Sequence, residues 1–178
     1  MLKRIGWAGL IAGLISGGCL FAMMLAFQGV PLEDNNLGAL LGYAAMLVAL
    51  SFIFIAIKRQ RDIAQGGVIK FLPALGMGLA ISVIAGLIYA LAWEATLAVT
   101  GLDFGGTYAD ASIEAAKARG MAGAELDAYI EKMRGFADMY ANPFYRVPIT
   151  FTEIFPVGVL VSLVSALILR NSRFMPAR

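Results

Sequence analysis

Four long apolar runs, broken by short charged segments, set the pattern of this chain. They cover about Ile5 to Val30, Leu37 to Ile57, about Val68 to Val99, and about Ile149 to Leu169. A hydrocarbon core ~30 Å thick needs ~20 helical residues to cross it, and each run is at least that long. In lipid every backbone N–H and C=O must find a partner within its own segment, so helices are the expected form. The links are unequal. Val30 to Asn36 is a tight acidic turn carrying Glu33 and Asp34, and Lys58 to Gly67 is a basic one.

The segment Thr100 to Arg146 is the only sizeable polar stretch. Asp110 is placed to cap a short helix running to Arg119 and ended by Gly120. A second helix is expected over about Ala122 to Tyr140, because Leu126, Tyr129, Ile130, Met133, Phe136 and Tyr140 recur at three- and four-residue steps. Asn142-Pro143 stops it. Such an amphipathic helix, tethered at both ends to spans, either caps the bundle or lies on the bilayer, and docking a partner is the alternative. Capping is preferred, since mixed charge gives no strong pull toward anionic lipid. The fold expected is an all-α integral membrane protein, a single domain over 1–178. It is a bundle of four transmembrane helices with an amphipathic extracytoplasmic segment between spans three and four.

Composition agrees. Of 178 residues, 60% are hydrophobic and 15% charged, against about 25% charged in soluble domains. A soluble fold of this size has too little interior to hide that much apolar surface. The charges are placed as topology requires. Lys3 and Arg4 precede the first span, Lys58, Arg59, Arg61 and Lys70 flank the second loop, and Arg170, Arg173 and Arg178 follow the fourth span. By the positive-inside rule that side is cytoplasmic, with both termini on it. Met1 to Arg4 followed by an apolar run is also the pattern of a cleaved signal peptide. The apolar run continues past Cys19 through Phe27, too long for a signal core, so the first span is expected to stay.

Reactive chemistry is sparse. The chain has no histidine and a single cysteine, Cys19, which leaves no imidazole base, no disulfide and no thiolate cage. No enzymatic activity, cofactor, metal or nucleic-acid partner is expected. Ionisable groups within spans are costly and therefore candidates for function. Glu94 lies at the far edge of span three beside Trp93, where it is expected to be wet. Glu153 lies 17 residues before Arg170, or ~26 Å along a helix, just inside the hydrocarbon. Arg146, two turns earlier, is placed to reach it. A polar cavity lined by Glu94, Glu153, Arg146, Tyr89 and Thr96 is the sharp expectation. The plain one is an interfacial acid near a helix N-terminus.

Lys58, Arg59, Arg61 and Lys70 form a candidate contact for anionic lipid headgroups, although topology alone already accounts for them. Every span also carries small residues four apart: Gly9, Gly13 and Gly17; Gly38 and Gly42; Gly78, Ser82 and Gly86; Gly158, Ser162 and Ala166. Such faces let helices approach closely, either to build the bundle itself or to join a homo-oligomer or another membrane subunit. Pro156 is expected to bend span four.

The run Ile57-Lys58-Arg59-Gln60-Arg61-Asp62, followed by Gly66-Gly67 and Phe71, resembles a bacterial four-span family, the domain-of-unknown-function family forty-one ninety-nine. In that pattern a lysine and an Arg-Asp pair end span two and Gly-Gly opens the return. Gln60 stands where members often carry an aromatic. The resemblance implies a multi-pass protein of a bacterial inner membrane and carries no activity with it. Two functional classes follow: a non-enzymatic self-associating or accessory subunit of a membrane assembly, or a small oligomeric transporter or channel using Glu153 and possibly Glu94.

Overall fold

The computed structural model describes residues 1–26 and 36–176, with side chains from residue 40 onward in the second part. Six helices follow one another: α1 (Leu2–Ala26), α2 (Asn36–Arg59), α3 (Phe71–Thr100), α4 (Phe104–Ala118), α5 (Gly123–Ala141) and α6 (Pro143–Leu169). A five-residue π-helical turn, Gln60–Ala64, extends α2. Helices α1, α2, α3 and α6 are long and apolar enough to cross a membrane, and this is a multi-pass membrane protein. The acidic turn with Glu33 and Asp34, the end of the expected first span and Arg178 lie outside the described residues.

The four spans form a ring in which α3 packs on α1 and α6, and α2 closes against α1 and α6. Small residues set the close approaches. A Cβ added at Gly9 would stand 2.7 Å from Ile84, one at Gly13 2.6 Å from Ile88, and one at Gly17 2.6 Å from Ala92. Three successive turns of α1 thus receive three successive turns of α3. Between α3 and α6 the match is reciprocal, because Gly78 faces Ser162 and Gly158 faces Ser82, each at 2.7 Å or less. The two serine hydroxyls meet at 3.2 Å, and each also donates to a carbonyl of its own helix. Gly86 receives the Phe151 ring, and Ala166 is fully buried. With little hydrophobic force between helices in lipid, such van der Waals contact is what joins them. Gly42 departs from the expectation: nothing lies within 4 Å of its Cβ position, so α2 makes no glycine contact there. The packing around Gly38 lies outside the described residues. Instead α2 uses Met46, Ala49, Leu50, Ile53, Ala56 and Ile57 as its buried face.

The basic end is tied together by Arg61, whose side chain is completely buried. Its Nε donates to Asp62 at 2.6 Å, Nη1 to the carbonyls of Leu169 and Phe174 at 3.4 and 2.9 Å, and Nη2 to that of Met175 at 2.6 Å. Lys58 completes the pair with Asp62 at 2.5 Å. The chain then reverses at Gly66 and Gly67, with φ of +63° and +86°, a conformation that residues with a Cβ adopt at a cost. Arg4 reaches across from α1 to the Gln60 side chain at 2.8 Å.

At the opposite end α4 and α5 form a helical hairpin. Helix α4 begins at Phe104, and its cap stands seven residues before the expected cap at Asp110. Its cap is Asp103, which accepts the Gly106 N–H at 2.9 Å. The cap was hidden because it follows directly on α3, which ends at Gly101 with φ +65°. Helix α5 covers the expected range, and its stripe faces α4. Asn142 stops α5 and at once caps α6, accepting the Phe144 N–H at 3.0 Å, with Pro143 in the first turn. Helix α6 therefore starts before the apolar run does and contains Pro148 as well as Pro156.

Candidate functional site

The hairpin end of the bundle holds a polar and aromatic layer built from α3, α4, α5 and α6. Phe104 and Tyr108 stand one turn apart on α4, and Phe136 and Tyr140 one turn apart on α5, so each pair shares a face. These faces meet: Phe104 lies 5.6 Å from Tyr140, Tyr108 5.6 Å from Phe136, and Trp93 of α3 meets Phe104 edge-on at 5.1 Å. Trp93 Nε1 donates to the Tyr140 hydroxyl at 2.9 Å, with both residues buried. Burial pushes the Tyr140 hydroxyl above its ordinary range and keeps it neutral. Trp93, read from sequence as an interfacial residue, is the seat of the hairpin. The four-residue aromatic spacing was the available signal.

Next to it, Arg146 and Glu94 form a bidentate pair, Nε to Oε1 at 2.6 Å and Nη2 to Oε2 at 2.5 Å. The remaining guanidinium nitrogen donates to the Tyr140 carbonyl at 3.2 Å, and the guanidinium lies 5.8 Å from the Tyr140 ring. Two sequence expectations are corrected here. Glu94 is not simply wet, since its side chain is 23% exposed and engaged, and Arg146 turns to Glu94 rather than to Glu153. Helix α6 starts at Pro143, so Arg146 stands near its first turn, level with Glu94 of α3 and about two turns from Glu153.

Glu153 is left with one partner. The buried Tyr89 hydroxyl donates to it at a long 3.4 Å, and no cation pairs with it among the described residues. Glu153 stands on the exposed face of α6, and its carboxyl group is part-buried where it reaches back to Tyr89. Thr96 is fully buried and donates to the Ala92 carbonyl of its own helix at 2.7 Å, joining neither group. The five residues expected to line one polar cavity thus separate into an ion-paired latch, a lone carboxylate with its tyrosine, and a self-satisfied threonine.

At the basic end, Arg61 is removed from the candidate lipid contact by its complete burial, and Lys58 is engaged with Asp62. Arg59 and Lys70 remain exposed. Among the described residues, no three side chains of the histidine, cysteine or carboxylate type converge.

Over residues 8–171 the chain matches the family model described as "Protein of unknown function (DUF4199)". The chain belongs to this family. The match spans all four crossing helices, the Lys58–Asp62 region and the hairpin. No curated protein and no solved structure matches.

Proposed function

We propose that this chain is a non-enzymatic subunit of a larger membrane assembly, in which another chain covers the outside of α6. The observation that carries this reading is Glu153, a carboxylate on the exposed face of a spanning helix with no cation beside it among the described residues. An ionised group facing hydrocarbon is costly, and a neighbouring chain that supplies a partner removes the cost. The small residues of α1, α3 and α6 are occupied in building the bundle, so they are not what recruits the partner. An oligomeric transporter based on Glu153 and Glu94 is the rival, and it is weakened because Arg146 already neutralises Glu94.

The same reading places the basic end in the cytoplasm of a bacterial inner membrane. Lys3, Arg59, Lys70, Arg170 and Arg173 are all exposed there, which supports a positive-inside orientation. Reporter fusions should give an exterior signal at Thr107 and an interior one at Arg173, and the reverse would overturn the orientation. The subunit reading is tested by purification in mild detergent. A partner at fixed stoichiometry is expected, and a lone monomer at every concentration would refute it.

A further inference from the structure

We propose that the Glu153 face of α6 docks a transmembrane helix of a different chain, one that presents a lysine or arginine at the depth of Glu153. This deepens the subunit reading and rests on it. Glu153, Pro156, Leu160, Val164 and Leu167 follow one another at steps of three and four residues, so they form a single stripe along α6. All five are exposed, whereas Ile154, Gly158, Ser162, Ala166 and Leu169 on the other side are buried in the bundle. The stripe runs 14 residues, or ~21 Å, which suits one helix laid along another.

Depth makes the carboxylate decisive. Glu153 stands ~26 Å from Arg170, and its partner Tyr89 stands 18 residues, or ~27 Å, beyond Phe71. Both counts put the pair just inside the far edge of a ~30 Å hydrocarbon layer. An ionised carboxylate offers about four acceptor positions, and the long bond from Tyr89 fills one. No described residue supplies another donor, so a cation from another chain would complement the carboxylate.

A second copy does not meet that need. Two copies related by a two-fold axis along the membrane normal would bring the same surface together, setting one Glu153 against the other. Like charges so placed oppose ionisation rather than satisfy it. Nor has a second copy a described cation free at that depth. Arg146 is held by Glu94, the hairpin carries Lys117, Arg119, Lys132 and Arg134, and the remaining described cations gather at the basic end.

The test reconstitutes the purified chain in lipid nanodiscs with synthetic Leu/Ala transmembrane helices, followed by energy transfer between dyes. One probe carries a single lysine at the hydrocarbon edge of the hairpin side, a second carries it at mid-helix, and a third has none. The edge-lysine helix should bind at least tenfold more tightly than the lysine-free one. Glu153→Leu should erase the difference, and Glu153→Gln should reduce it. A photoreactive group at Leu160 should capture the edge-lysine helix, and one at Leu91, equally exposed on α3, should not. Equal binding of the three probes, binding indifferent to Glu153→Leu, or Glu153-dependent pairing of two copies of this chain would overturn the proposal. If the probes show no preference while native purification still yields a stoichiometric partner, the docking surface fails and the subunit reading stands. If the probes discriminate but the native protein is always monomeric, the face binds a cationic helix in vitro while the subunit reading fails, and the proposed native partner with it.

Discussion

Replacing Arg61 by methionine keeps much of the side-chain volume but removes a guanidinium that joins three parts of the molecule. In the parent this group holds Asp62, the last carbonyl of α6 at Leu169, and the carbonyls of Phe174 and Met175, and none of its surface is exposed. Methionine donates no hydrogen bond, so three carbonyls lose their donor and Asp62 keeps only Lys58. Leaving a buried acceptor without its donor costs about 1–3 kcal/mol, while Asp62 stays compensated by Lys58, so the loss comes chiefly from the carbonyls. Lys58, which is 27% exposed, should by contrast contribute no more than about 1 kcal/mol when changed to methionine. Arg61→Lys should fall between the two, since an ammonium keeps the charge but its three donors cannot serve Asp62 and all three carbonyls together. Reversible unfolding in bicelles, read for all three variants, measures the order directly. If Arg61→Met cost no more than Lys58→Met, Arg61 would be a topology signal and not a clamp.

The glycine faces make a second prediction. Gly13→Val places a Cβ 2.6 Å from Ile88 and should destabilise by about 1–3 kcal/mol through overpacking, while Gly18→Ala, with nothing within 4 Å, should lie within about 0.5 kcal/mol of the parent in the same assay. At the other end, Trp93→Phe leaves the buried Tyr140 hydroxyl without its donor. It should cost about 1–3 kcal/mol and raise hydrogen exchange in α4 and α5 ahead of the spans. A double-mutant cycle of Glu94→Gln and Arg146→Gln should be non-additive by at least about 1 kcal/mol, and additivity would mean the latch is incidental. If the transporter rival were right, Glu153→Gln would abolish ion flux in proteoliposomes; the subunit reading predicts no flux in the parent to abolish.

Sequence revealed the scaffold because its signals are local and long. Four apolar runs, the Gly9-Gly13-Gly17 ladder and the α5 stripe each repeat within one element, so periodicity alone exposes them. The partner choices were not legible, because they depend on which residues two distant helices bring level. Arg146 was assigned to Glu153 by counting along one helix, and the structure gives it to Glu94, 52 residues away. Arg61 shows the same difficulty. In sequence it is one of four similar cations, and only the return of α6 and the following residues to the basic end separates the buried clamp from the exposed Arg59 and Lys70. Gly42 has the right spacing but no helix opposite it.

Native mass spectrometry from lipid nanodiscs, run on the parent and on Glu153→Leu, bears most directly on the assembly role. One chain has a mass of 18.9 kDa. The parent should appear in a larger complex of fixed composition containing a second kind of chain, and Glu153→Leu should shift the population to the free 18.9 kDa species. A parent found only at that single-chain mass, or a complex left intact by Glu153→Leu, would contradict the account.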